Sequence, residues 1–192
     1  MLKIINKEIS YMALVDLLQS KSIDISKWGK GIFKSVDNLF DEIRKSDCIL
    51  TDEPTRIISI AVIKIIRENN ILIEQSQKMR NGIFRLRNKL PREKIKIGES
   101  IKHAAIRCLN EELNISNNDF RILSIKEEPK VFLKESDSYP ELITKYNQYD
   151  VSVQAKSLPL NDFSTNEKGE EHDPVEIHFW RWVPLNQITN LK

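Results

Sequence analysis

The segment GESIKHAAIRCLNEELNI, residues Gly98–Ile115, decides how this sequence is interpreted. On a helical wheel of about 100° per residue, its small and apolar residues gather on one arc. These residues are Ile101, Ala104, Ala105, Cys108 and Leu109. Glu112 falls inside that arc and Glu111 lies at its edge. The wheel therefore predicts a helix over Glu99 to Leu113 whose buried face carries an acid.

Two adjacent acids at a buried helix face need a positive charge nearby. A carboxylate among apolar side chains is costly unless it is paired, and neighbouring carboxylates raise each other's pKa. Arg107 stands one turn before Glu111 and can orient it. A divalent ion such as Mg²⁺ is the other natural counter-charge, because hard cations prefer oxygen ligands. From the helix alone, the alternative stays open that Glu111 and Glu112 form the solvated end of an ordinary helix.

The spacing of the charged and aliphatic residues in and before this helix resembles the Nudix box. That box runs Gly, five residues, Glu, seven residues, Arg-Glu, an aliphatic residue, any residue, Glu-Glu, any residue, Gly and an aliphatic residue. Six of its nine fixed positions match, namely Glu99, Arg107, Leu109, Glu111, Glu112 and Ile115. Glu93, Cys108 and Asn114 stand where the box has Gly, Glu and Gly. The resemblance covers roughly residues 57 to 192, because Leu90-Pro91 and His178–Leu185 also resemble runs that flank the box in such domains.

This resemblance implies an α/β (α+β) fold, a Nudix-like α/β/α sandwich with a mixed sheet, over residues 56–192. Residues 1–55 are expected to be a helical accessory segment, with helices at Tyr11–Leu18 and after the N-cap Ser35. Strand patterns occur at Ile57–Ile66, Ile71–Gln75, Phe120–Ile125, Lys145–Ala155 and Val175–Val183. The polar span Leu158–Pro174 is predicted to be a loop.

The resemblance further implies a metal-dependent hydrolase that cleaves a pyrophosphate linkage in a nucleoside diphosphate derivative. Glu111 and Glu112 would hold Mg²⁺ or Mn²⁺. Arg107 would orient Glu111, and Glu99 would support the junction between loop and helix, which completes the predicted catalytic set.

Two of the departures from the box bear on its chemistry. Cys108 cannot replace a metal-binding glutamate well, because a thiol is soft and usually protonated. Glu93 could supply the missing carboxylate and is one candidate general base. The acidic span Glu167–Glu176 offers others, namely Glu171 and its neighbours Glu170, His172, Asp173 and Glu176. All of these could equally be solvated surface charges. The alternative function is a catalytically impaired Nudix-fold module that binds a nucleotide or a protein partner.

A basic stretch leads into the predicted metal helix. Residues Lys78–Lys96 contain eight basic residues and a single acid, and such a field attracts phosphates. Arg85 and Arg87 share one face if this stretch is a strand, so they could grip a substrate phosphate by paired donors. Ordinary solvated surface charge is the competing interpretation. No helix-turn-helix or aromatic-interleaved pattern favours nucleic acid as the partner.

The amino-acid composition excludes several other classes of protein. The 192 residues include 30 Lys+Arg and 28 Asp+Glu, so the net charge of +2 argues against a DNA-coating protein. Two cysteines exclude a secreted disulfide framework. The longest nearly apolar run, Ile57–Ile66, is far shorter than the roughly 20 residues of a membrane span. We therefore expect a cytoplasmic protein without a membrane partner. The resemblance also allows a homodimer, since many family members form one.

Overall fold

A computed structural model describes residues 3–5, 7–169 and 174–190, the last three of these through their backbone only. The α-helices are α1 (Tyr11–Ser20), α2 (Val36–Arg44) and α3 (Ile101–Glu111), and short 3-10 helices span Ile25–Lys27 and Leu185–Asn190. The strands are β1 (Ile49–Leu50), β2 (Thr55–Arg67), β3 (Asn70–Met79), β4 (Phe84–Lys89), β5 (Arg92–Lys94), β6 (Phe120–Ile125), β7 (Lys130–Glu135), β8 (Ile143–Ala155), β9 (Phe163–Asn166) and β10 (Val175–Pro184). The predicted α+β class with a mixed sheet is confirmed.

The chain forms two compact units that are not continuous in sequence. The first unit comprises Met1–Ile60, Lys94–Glu99 and Pro129–Gln148. The second comprises Ala61–Glu93, Ser100–Glu128 and Tyr149–Lys192. Strands β2 and β8 each contribute residues to both units. The domain boundary between residues 55 and 56 stays a prediction.

The strand order along the sheet is β6-β8-β2-β3-β10-β9, and β4 also pairs with β3. Strand β3 lies antiparallel to β10, so that Glu74 is opposite Trp180 and Gln77 is opposite His178. The register shifts between Phe179 and Trp180, which is an irregularity of the β-bulge type. This pairing brings polar residues of two otherwise apolar strands together.

Helix α3 has the buried face that its sequence predicts. Its N-cap is Ser100, whose hydroxyl accepts a hydrogen bond from the backbone N–H of His103 at 3.1 Å. The buried residues of the helix are Ala104, Ala105, Cys108 and Leu109. Glu112 is the C-cap, and Asn114 takes a left-handed conformation with φ of 55°. Asn tolerates this conformation better than most residues, so it can end the helix where the box has glycine.

The short strands correct two of the sequence predictions. The polar span Leu158–Pro174 is not entirely loop, because Phe163–Asn166 form β9 and pair with β10. Likewise, the first 55 residues are not all helical, since β1 pairs with the start of β2. Strands of two to four residues are too short to show a period in sequence. Within the described part of the chain, no helix is long and apolar enough to cross a membrane.

A buried carboxylate in the first unit is surrounded by basic groups. Glu42, on α2, is 6% exposed. Its Oε1 lies 2.7 Å from Lys34 Nζ and 3.4 Å from Lys94 Nζ, and its Oε2 accepts from Arg56 Nε at 3.1 Å. Burial alone would raise the pKa of Glu42, but the nearby charges, Arg56 first, outweigh burial and lower that pKa to about 2.

We predict that Glu42→Gln lowers the free energy of unfolding near neutral pH by about 3 kcal/mol, because three cations lose their buried partner. In the unfolded chain the Glu42 carboxyl takes up a proton near its ordinary pKa of 4.5. In the folded chain it does so only at a pH of about 2. The stabilisation is therefore complete above pH 4.5 and disappears as pH falls toward 2. Urea unfolding across this pH range measures it.

The exposed neighbour Asp41 provides the control, since Asp41→Asn should leave the free energy of unfolding nearly unchanged. A difference between Glu42→Gln and the native protein that stays constant from neutral pH to pH 2 would contradict the assignment.

Candidate functional site

Three residues of the second unit form a group that could hold a metal ion. Glu74 comes from β3, Glu112 from the C-terminal end of α3 and His178 from β10. Each offers one ligand atom, and these atoms all lie within 4.8 Å of one another. The side chains of Glu74 and His178 are 2% exposed, and that of Glu112 is 14% exposed. The group is thus nearly enclosed, with Glu112 as its most accessible member.

His178 joins this group to a further acid, Glu167, which lies just after β9. The Nδ1 atom of His178 lies 2.6 Å from Glu74 Oε1, and its Nε2 lies 2.7 Å from Glu167 Oε2. Burial acts to lower the pKa of His178, but the hydrogen bonds to Glu167 and Glu74 outweigh it and raise this pKa to about 10. The imidazole is therefore charged at neutral pH and donates to both carboxylates.

The three acids respond differently to this cation. Burial would raise the pKa of Glu74 and of Glu167, but the hydrogen bond from His178 dominates in both and lowers these values. Glu112 Oε2 is 3.9 Å from His178 Nδ1. Burial, followed by repulsion from Glu74, raises the pKa of Glu112 well above its usual range. Glu112 is therefore the acid of this group whose charged form is least favoured.

The two arginines predicted to bind substrate lie on β4, beside this group. Arg87 donates from Nε to Glu74 Oε2 at 3.0 Å. Arg85 donates from Nε to Gln77 Oε1 at 3.1 Å, and Gln77 in turn donates to Glu74. Both arginines therefore support the buried carboxylate from the strand that pairs with β3. Their contact with a substrate phosphate stays a prediction.

Arg107 and Glu111 of α3 form a second, more exposed group with Glu93, which lies on β5. Arg107 Nη1 lies 3.0 Å from Glu93 Oε1 and 3.9 Å from Glu111 Oε2. The side chain of Glu111 is 33% exposed, and its carbonyl accepts from the N–H of Lys168. The structure thus brings Arg107, Glu93 and Glu111 together, whereas Glu112 belongs to the group around His178. The metal-binding role of Glu111 stays a prediction.

Glu99 and Cys108 occupy structural positions. Glu99 Oε2 accepts from the backbone N–H of Lys96 at 2.9 Å, at the loop that precedes α3. Cys108 is fully buried, as the wheel predicts, and burial raises the pKa of its thiol well above the usual range. A neutral buried thiol packs and does not bind a hard cation.

Sequence reasoning missed Glu74 and His178 as members of the site. A usable signal existed for Glu74, because it ends a buried run of Ile and Leu residues, where an acid is as costly as Glu112 in its helix. No pattern in the sequence around His178 indicates a functional role for this residue. It lies 104 residues beyond Glu74 in the chain. Glu171, a further candidate base, lies outside the described residues, as do Glu170, His172 and Asp173.

Comparison with known proteins places the chain in a family. A family model described as NUDIX domain matches residues 55–192. Similar solved structures include a NUDIX hydrolase from Nitrosomonas europaea, with 19% identity and a TM-score of 0.45 over 70% of this chain and 76% of that chain. A Nudix hydrolase from M. smegmatis has 14% identity and a TM-score of 0.39 over 75% of this chain and 83% of that chain. An Ap4A hydrolase from C. elegans has 18% identity and a TM-score of 0.35 over 70% of this chain and 84% of that chain.

No curated protein sequence matches. Because the family model covers more than half of its length, the chain belongs to the Nudix family.

Proposed function

We propose that this protein is a metal-dependent hydrolase that cleaves a pyrophosphate linkage in a nucleoside diphosphate derivative. The observation that carries this proposal is the enclosed group of Glu74, Glu112 and His178, whose ligand atoms lie within 4.8 Å of one another. Glu112 belongs to the family's box, and the other two residues come from the adjoining strands β3 and β10. A cation beside this buried acid pair relieves its repulsion, and either the charged His178 or a bound divalent ion can serve as that cation.

The donor set fits a divalent ion. Carboxylate oxygens from Glu74 and Glu112 suit Mg²⁺ or Mn²⁺. The nitrogen of His178 suits a transition metal better than Mg²⁺, so we propose Mn²⁺ as the preferred ion. His178 could ligate only after losing its proton, because a metal-bound imidazole is neutral. Until then it holds Glu74 and Glu167 by its hydrogen bonds.

Several residues of the chain would have distinct roles around the bound substrate. A bound divalent ion polarises a phosphoryl oxygen and makes a water more acidic. Arg85 and Arg87 supply positive charge from β4 toward the phosphates. Glu167, which is hydrogen-bonded to His178 Nε2, is a candidate general base in addition to Glu93 and Glu171. Arg107 Nη1 lies 3.0 Å from Glu93 Oε1, so this arginine positions the Glu93 carboxylate.

A second function, nucleotide or protein binding without turnover, is favoured by two specific observations. Cys108 removes one carboxylate that the box normally supplies. His178 and Arg87 already supply positive charge to the buried acids in the absence of a metal. Binding of a nucleotide with no product formed, at any metal concentration, would favour this module over the hydrolase.

Glu112→Gln is expected to reduce kcat/KM about 100-fold or more, because the amide cannot offer a charged ligand atom. The measurement is product release from a panel of nucleoside diphosphate derivatives with Mn²⁺ or Mg²⁺. The exposed acid Glu127 supplies the matched control, and Glu127→Gln should retain full activity. Hydrolysis that survives Glu112→Gln undiminished would remove this residue from the site.

Mn²⁺ should raise the Tm of the native protein by roughly 5–10 °C when present at about 100 times its Kd. The physical reason is that the ion binds only the folded arrangement of Glu74 and Glu112. Glu74→Gln should abolish the shift, and chelation with EDTA should reverse it in the native protein. Calorimetric melting gives the values.

Glu111→Gln tests the metal ligand that was predicted from the sequence. Loss of the Mn²⁺-dependent Tm shift in this variant would add Glu111 to the ligand set, whereas a full shift would leave Glu111 as the partner of Arg107. No shift with any divalent ion in the native protein would contradict the metal site itself.

A further inference from the structure

Gly169 lies where the segment after β9 meets the end of α3. Its N–H donates a hydrogen bond to Glu167 Oε1 at 2.6 Å. The N–H of Lys168, one residue earlier, donates to the carbonyl of Glu111 at 3.1 Å. Two successive amides therefore connect one short stretch of backbone to two acids, Glu111 of the box and Glu167, the partner of His178.

The space beside the Cα of Gly169 is too small for a side chain. A β-carbon at this position would lie 2.7 Å from Glu167 Oε1 and 3.0 Å from Glu111 Oε2, both closer than the 3.4 Å at which ordinary van der Waals contact begins. The backbone itself would admit another residue, because the φ of Gly169 lies outside the left-handed region, unlike the φ of 86° at Gly98. The two carboxylates, and not the backbone, therefore exclude a side chain here.

These two carboxylates approach the same point from different groups of the site. Glu111 ends α3, and its Oε2 lies 3.9 Å from Arg107 Nη1. Glu167 follows β9, and its other oxygen lies 2.7 Å from His178 Nε2. Gly169 is thus the point at which the more exposed group of Arg107 and the enclosed group of His178 converge.

A side chain at position 169 would displace the acids before it disturbed the fold. Both oxygens that a β-carbon would meet are the ends of flexible side chains. Rotating such ends away costs less than breaking the backbone hydrogen bonds of β9 and α3. Because the side chain of Glu167 is only 5% exposed and contacts His178, its displacement would alter that contact as well. Alanine here should therefore change the geometry of the site while the fold persists.

We propose that Gly169 is a positioning residue of the hydrolytic site, since its missing side chain lets Glu111 and Glu167 converge and its N–H orients Glu167. This inference rests on the proposed function, because the convergence affects turnover only if these acids act on a substrate. Gly169 acts through the two acids and takes no part in bond cleavage itself. A displacement of about 1 Å at a reacting site can cost on the order of 100-fold in rate.

Gly169→Ala should lower kcat about tenfold or more for the nucleoside diphosphate derivatives that the native chain hydrolyses at saturating Mn²⁺. KM should change little, because Arg85 and Arg87 keep their contacts on β4. The Tm should not fall, since alanine at a compatible backbone conformation restricts the unfolded chain. Steady-state kinetics and calorimetric melting provide these values.

Gly31→Ala supplies the inverse control. A β-carbon at Gly31 would meet no atom within 4 Å, but its φ of 59° is unfavourable for alanine. This variant should lose stability and keep the native kcat. A Gly169→Ala variant that also keeps the native kcat would overturn the proposal.

A double-mutant cycle tests whether Gly169 acts through Glu167. Glu167→Ala removes the nearer of the two carboxylates, so in that background Gly169→Ala should lower kcat much less than it does in the native chain. An equal fold-loss in both backgrounds would show that the effect does not pass through Glu167 and would contradict the assignment.

The crystal structure of the Gly169→Ala variant separates failure of this proposal from failure of the proposed function. We expect an unchanged backbone over residues 167–169, with the carboxylates of Glu111 and Glu167 displaced. Carboxylates that stay in place while the backbone shifts would overturn the positioning role, whatever the native chain hydrolyses. A native chain that hydrolyses no member of the nucleotide panel would instead contradict the proposed function, and with it any role of Gly169 in turnover.

Discussion

The second unit is organised around a charged imidazole that lies among buried carboxylates. His178 donates from both ring nitrogens, to Glu74 on one side and to Glu167 on the other. Each of these contacts fixes a different piece of the chain, since Glu74 belongs to β3 and Glu167 follows β9. A buried carboxylate without such a partner would cost several kcal/mol or take up a proton. His178 on β10 therefore ties β3 and the segment after β9 to the same point, in addition to the backbone pairing of β9 with β10.

The parts of the fold that sequence predicts are those that local patterns determine. Helix α3 follows from the spacing of its small residues, and its end follows from the tolerance of Asn114 for a left-handed backbone. The N-cap of α2 at Ser35 is confirmed, and there Asn38 completes a capping box. Strand β6 has the bounds predicted for it, Phe120–Ile125. In each case the deciding contacts join residues only a few positions apart.

The site itself depends on contacts that local patterns do not reach. The helical wheel identifies Glu112, because this acid interrupts an apolar arc. The wheel gives no information about which strands lie beside the C-terminal end of α3. The approach of His178 to Glu74 depends on the register between β10 and β3, which shifts at Trp180. A slip of one residue would turn the histidine to the other face of the sheet. The basic residues of β4 were visible in sequence, but their attachment to Glu74 through Arg87 was not.

The charges around His178 bear on the presence of Cys108 where the box has glutamate. The hydrogen bond from His178 outweighs burial and lowers the pKa of Glu74 and of Glu167, whereas burial raises the pKa of Glu112. The charges of His178 and Arg87 thus oppose those of the buried acids without any metal. A glutamate in place of Cys108 would add a fourth acid to a region that already raises the pKa of Glu112, so it would demand a permanent cation. A divalent ion would bind Glu112 and His178 in their deprotonated forms, because metal ligands must release their protons. Under the proposed function, metal binding here would therefore be coupled to proton release, which would distinguish a hydrolase loaded with its ion from a module in which His178 keeps its hydrogen bonds to Glu74 and Glu167.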